Sequence, residues 1–137
     1  MVTNPYTRTM APALIMAFGV AGCAPAAQSP ADDTLVPVYQ GFDVLLLDND
    51  LVDVLVTVQD ARSAKDVEDY AECVLAQHAL NKGFGYARHL RTRIKKKNGV
   101  WLGDSIYTLS QARPAGLKTI DARKTARTCA ENRIPMV

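Results

Sequence analysis

The sequence predicts an α+β domain: an antiparallel β-sheet with two helices packed on one face, in the order β-β-α-β-β-(β)-α. Three observations carry this expectation. Val52, Val54, Val56 and Val58 alternate with Leu51, Asp53, Leu55 and Thr57, the period of two that a half-buried strand requires. Val67, Tyr70, Ala71, Val74 and His78 recur at helical spacing. Asn98-Gly99, the pair that favours a type I′ turn, separates two strand-like runs.

In chain order, Gly41 to Asp60 holds two β-rich runs, the first a short one around Val44 to Leu47. Asp48-Asn49-Asp50 breaks them with residues whose side chains bond their own backbone in turns. Ser63 opens a helix, with Asp66 three residues later in a near capping box, and Gly83 supplies the stop. The hairpin runs from Gly85 to Lys97 and from Val100 to Gln111. A two-residue loop sets Leu90 opposite Tyr107, Arg91 opposite Ile106, Ile94 opposite Gly103 and Lys96 opposite Trp101. It also sets Arg93 opposite Asp104, an available salt bridge. The face with Tyr86, Leu90, Ile94, Trp101, Tyr107 and Leu109 is then the core side. After the turn at Arg113 to Gly116, Leu117 to Ile120 adds a short strand, and Asp121 caps a last helix running to about Asn132.

Charge is divided along the chain. Ala24 to Asn81 carries eleven acids against Arg62 and Lys65, a net −9, whereas Lys82 to Val137 carries a net +10. The total of +2 conceals this split, which implies either pairing between the halves or two surfaces of opposite sign.

The first residues read as an address. Met10 to Gly22 is an uncharged run too short to span a bilayer, preceded by a single arginine, Arg8. It ends in Val20-Ala21-Gly22-Cys23, which resembles the lipobox of bacterial lipoproteins. That resemblance covers only the first 23 residues. It implies a signal peptide over 1–22 and diacylglycerol and fatty acyl groups on Cys23. Ala24 to Leu35, rich in Ala, Pro and Asp and without periodicity, reads as a flexible tether, so that lipidated cysteine and tether span 23–35. A single globular domain over 36–137 follows. Ala24 after the cysteine, rather than Asp, implies release to the outer membrane, with the domain facing the periplasm. Ala24-Pro25-Ala26 offers a competing reading, as the cleavage site of a soluble secreted product. A buried helix of a cytosolic protein is the third. The whole chain resembles small uncharacterised lipoproteins of Gram-negative, alphaproteobacterial envelopes, a resemblance that lends no activity.

The cysteine count bears on the same question. If Cys23 carries lipid, Cys73 and Cys129 remain, an even number that in an oxidising compartment predicts a disulfide. Two unrelated buried thiols are the alternative. With no C-x-x-C, redox catalysis and zinc ribbons find no support.

The candidate binding surface is the strand carrying His89, Arg91, Arg93, Lys95 and Lys97, all odd-numbered and so on one face, with Arg88 and Lys96 adding charge on the other. Arg88, Arg91, Arg93, Lys95 and Lys97 are the cations that can meet phosphates of lipid headgroups or lipopolysaccharide. The plainer reading is a solvated edge strand kept from aggregating by its charge. Aromatic residues do not interleave with these cations, so no nucleic-acid partner is expected. His78 and His89 have no partner at ligand spacing, and the acids at Asp48, Asp50 and Asp53 lack the glycine and terminal glutamate of a calcium loop. Asp66, Glu68, Asp69 and Glu72 fall in early helical turns, where acids complement the helix dipole. No nucleophile, P-loop or dinucleotide motif is present, so no catalytic residue, metal or cofactor is assigned. The expectation is a non-enzymatic, lipid-anchored envelope module that binds a protein or the cell wall. The alternatives are a binder of anionic envelope ligands and, remotely, a small periplasmic hydrolase built on His78 or His89 with a carboxylate.

Overall fold

A computed structural model describes residues 30–136. The 1–22 segment, Cys23 and the 23–29 part of the tether lie outside the described residues. The elements are β1 (Val38–Leu46), β2 (Leu51–Gln59), α1 (Ala64–Asn81), β3 (Tyr86–Lys97), β4 (Val100–Ser110), β5 (Thr119–Asp121) and α2 (Ala122–Glu131). The strands form one antiparallel sheet in the order β1-β2-β4-β3-β5. The α+β class and the element order agree with the sequence expectation.

The four valines of β2 face the helices and are buried to 2% exposure or less. Each such side chain contributes roughly 1.5–3 kcal/mol by leaving water. Opposite them, β4 presents Trp101, Gly103, Ser105 and Tyr107 to the same side. α1 packs close over Gly103: a Cβ there would lie 2.6 Å from Val67 Cγ1 and 2.9 Å from Val56 Cγ2. The missing side chain therefore sets how near the helix packs to the sheet.

α1 starts at Ser63, as expected, but the serine side chain makes no capping bond. Asp66 closes the start instead, accepting from the Arg62 backbone N at 2.8 Å and from its guanidinium at 2.7 and 3.0 Å. The helix ends in a Schellman turn, with Gly83 at φ 84° and the Phe84 N–H donating to the Ala79 carbonyl at 2.8 Å. α2 is capped by Asp121, whose carboxylate accepts from Lys124 N at 3.1 Å. The Cys73–Cys129 disulfide joins the two helices.

Two local expectations are corrected. The first strand is not a short run near Val44 but nine residues, because pairing with the whole of β2 holds Val38 to Asp43 extended. A bulge between Tyr39 and Gly41 absorbs its mismatch. In β3, the register follows the Asn98-Gly99 turn from Lys97 up to Arg91, and then a bulge intervenes between Arg91 and His89. Leu90 is the extra residue and is 47% exposed, so it does not face Tyr107. His89 takes that place, opposite Tyr107 on the helix side, and leaves the basic face. Arg88 moves the other way, opposite Thr108, onto the face that carries Arg91. Tyr86, opposite Ser110, likewise sits on the uncovered side rather than in the core.

Candidate functional site

The sheet has one face under the helices and one face bare. On the bare face β3 presents Arg88, Arg91, Arg93, Lys95 and Lys97, every one exposed. β4 sets Leu102, Asp104 and Ile106 beside them, β2 adds Asp53 and Leu55, and β1 adds Asp43 and Leu45. Leu102 and Leu45 are about half exposed. A groove of about 580 Å³ runs among Asp43, Leu55, Thr57, Arg93, Lys95, Leu102 and Asp104. Arg93 stands opposite Asp104 in register, yet the ion pair is made by Arg91, whose Nη1 lies 3.4 Å from Asp104 Oδ1. A half-exposed pair at that distance is worth under about 1 kcal/mol. Lys96 points to the helix side and lies over the Trp101 ring at 4.6 Å.

Beside the cations, on the same face, is a carboxyl pair. Asp53 lies one diagonal step across the ladder from Asp104. Burial pushes its pKa up, and the charge and hydrogen-bonding reach of Asp104 push it further, with Arg91 opposing. Asp53 Oδ1 is buried with no hydrogen-bond partner among the described residues.

β5 pairs with β3 only from Tyr86 to Arg88, so the outer edge of β3 from Leu90 to Lys97 is open. Its density of cations disfavours the addition of a further strand there. The same residues thus guard an edge and charge a face.

A second concavity lies on the covered side, between α1 and the β5–α2 corner, with a volume of about 670 Å³. Its α1 wall bears Lys65, Glu68, Asp69 and Glu72, and the facing wall bears Lys118, Lys124 and Arg113. His89, Thr92 and Tyr107 form the floor beside the disulfide. His89 Nε2 and Thr92 Oγ1 are 2.7 Å apart, and Thr92 Oγ1 and Ser105 Oγ are 2.8 Å apart. Burial, then Lys118, lowers the His89 pKa, which favours the neutral ring. Burial raises that of Glu72, as do its neighbours Asp69 and Glu68. Tyr107, 1% exposed, is held protonated by burial. The cleft does combine His89 with carboxylates, the minimum a hydrolase would need. Among the described residues no serine lines it: Ser105, bonded to Thr92 from below, is at 0% exposure. His78 does not line the cleft. Burial, then Lys82, lowers its pKa.

Glu68, Glu72, Lys118 and Lys124 were not singled out from sequence as members of one site. The acids carry a visible signal, being four apart on one helix face, but helix-dipole complementarity explains that spacing equally well. Among the described residues no group of three or more His, Cys, Asp or Glu side chains is placed to hold a metal. No described helix is long and apolar enough to cross a membrane.

A family model described as the YNQ4 C-terminal domain matches residues 39–133, from the second residue of β1 through α2. A protein of Paracoccus denitrificans, described as an uncharacterized 26.9 kDa protein in the nqo8 5′ region, is 38% identical over 85 residues. The match takes in 62% of this chain and 33% of that protein, so the chain spans about a third of the length of the curated relative it matches. No solved structure matches.

Proposed function

The chain belongs to the YNQ4 C-terminal domain family, and from that premise we propose that it is a non-enzymatic binding module of the cell envelope, tethered by lipid on Cys23, whose bare sheet face receives a partner protein. The observation that supports this reading is the composition of that face. Leu102 stands half exposed beside Arg93 and Lys95 in a groove that also carries Asp43 and Asp104, with Leu45, Arg88 and Lys97 on the same face outside it. Apolar side chains among unpaired cations suit a protein surface that is acidic at its rim. A phosphate-dense membrane surface would meet Asp43, Asp53 and Asp104 in the same patch and be repelled by them.

The test is site-directed photocross-linking in cells, with the probe in place of Leu102 and a control probe at Val36. A discrete cross-linked species from the Leu102 position, lost in the R93E/K95E variant, supports the reading. Equal cross-linking from both positions, or none, sinks it. A second reading, retention on anionic lipid or lipopolysaccharide through the five cations, is favoured by their number and exposure. It predicts salt-sensitive binding to anionic vesicles that is abolished by R91E/R93E. Intact-mass analysis of the protein isolated from membranes tests the anchor. Diacylglyceryl and acyl groups on Cys23 are the expected result, and a free Cys23 thiol or a product cleaved after Ala26 would exclude lipidation.

A further inference from the structure

We propose that the cleft between α1 and the β5–α2 corner is a binding site for a small zwitterion of amino-acid type, a free amino acid or short peptide, with its ammonium group toward Glu68 and Glu72 and its carboxylate toward Lys118 and Lys124. The site is separate from the bare sheet face and lies on the opposite side of the sheet.

Opposite charges line the two walls of this cavity without pairing across it. Three salt bridges form among the described residues: Arg62–Asp66, Lys65–Asp69 and Arg91–Asp104. None of them crosses the cleft. Lys65 engages both oxygens of Asp69 at 2.7 Å, which leaves Glu68 and Glu72 as the open anions of the α1 wall. Neither makes a hydrogen bond or ion pair within the described residues, and nor do the ammonium groups of Lys118 and Lys124. The helices are joined at Cys73 and Cys129, and both cysteines line the cavity, so the two walls are tied at the cavity itself. Opposite charges that the fold keeps apart are left to be neutralised by something that fits between them.

A zwitterion meets each requirement. At about 670 Å³ the space lies within the range of small-molecule sites and admits a short peptide. Asp121 also lines it, but its carboxylate is committed to the Lys124 backbone N–H at 3.1 Å. Lys124 and Thr125 belong to the first turn of α2, a ten-residue helix whose N-terminal partial charge adds to the attraction for a carboxylate. The floor offers Thr92 and His89, whose lowered pKa favours the neutral ring, groups that bond to amides without imposing a net charge, with Tyr107 buried beneath them. A dianion would be repelled by the α1 wall and a dication by the other, so selectivity follows from the placement of sign.

The experiment uses the purified full-length chain and a pooled library of amino acids and tripeptides with free ends. Parallel libraries are N-acetylated or C-amidated, and retention is read by equilibrium dialysis with mass spectrometry. Free peptides are expected to bind at least tenfold more tightly than either capped set, the loss of one charge-assisted contact. E68Q/E72Q should erase the difference between free and N-acetylated peptides. K118A/K124A should erase the difference between free and C-amidated peptides. R93E/K95E, on the other face, should change neither. Equal binding of free and capped peptides overturns the proposal, as does failure to retain any member of the free library. Because the two wall variants lie on different elements, unfolding of one leaves the other to decide, with the Cys73–Cys129 bond verified by mass in each.

Discussion

Replacing Asp53 by Asn should make the protein more stable at neutral pH, which is not the usual outcome of changing a half-buried polar residue. Asp53 sits diagonally across from Asp104, and its Oδ1 is buried without a partner. An unsatisfied buried acceptor costs about 1–3 kcal/mol. Burial and the Asp104 charge raise its pKa above the ordinary 3.8. The folded protein therefore holds that proton more tightly than the unfolded chain does. The associated stability is fully present below the unfolded value and is lost as pH rises through the folded one. At neutral pH the parent protein has either ionised this site beside another anion or is holding a proton against solvent. Asn removes the charge and offers an N–H to Asp104, a net gain of about 1 kcal/mol. For a domain of this size that corresponds to a rise in Tm of about 4–8 °C. Urea melts of parent and variant at about pH 3.5, 5.5 and 7 supply the test, with the gain expected to grow with pH. A D53N protein that is less stable than the parent at neutral pH, or a difference independent of pH, would refute the reasoning.

The remaining predictions concern the helices and how they seat. Removing the disulfide as C73A/C129A, across a sequence separation of 56, should cost about 4 kcal/mol by loop entropy, and reductant should lower the parent's urea midpoint to a similar value. G103A should destabilise by about 2 kcal/mol, since its Cβ would meet Val67 Cγ1 at 2.6 Å, and V67A added to it should recover part of the loss. D66N should cost about 2 kcal/mol at pH 7, because Asp66 accepts charge-assisted bonds from Arg62 and is 8% exposed. Those bonds lower the Asp66 pKa, so the stability they contribute is present above 3.8 and is lost as pH falls through the folded value. Acid titration of the two proteins should therefore converge at low pH.

Much of the fold was legible because its signals are local. The alternating valines of β2, the Asn98-Gly99 turn, the stop at Gly83 and the cap at Asp121 each express a backbone preference that holds in any context. Asn98 and Gly99 do adopt the positive φ angles, 52° and 78°, that the turn demands. The β3 bulge had no such signal. Leu90 is neither glycine nor a turn former, and counting from the turn places it in the core when it is in fact outside. That one residue exchanged His89 for Arg88 on the basic face. Of the five cations singled out for binding, all five share that face in the folded protein, Arg88 only because of the bulge.

The sequence alone determined the α+β class, the element order and the division of charge between the halves of the chain; it made the Cys73–Cys129 bond an expectation against two free thiols, and the structure joins them. Periodicity, turn chemistry and composition are properties of neighbouring residues, whereas the cysteine bond needed the docking of α2 on α1 to bring its partners together. Tertiary structure decided which charges meet. It left the α1 acids facing Lys118 and Lys124 across a cavity, and it put Asp53 against Asp104 beside the basic strand. Those juxtapositions join residues about fifty positions apart, through strand order and helix docking, and no local preference encodes a distance of that kind.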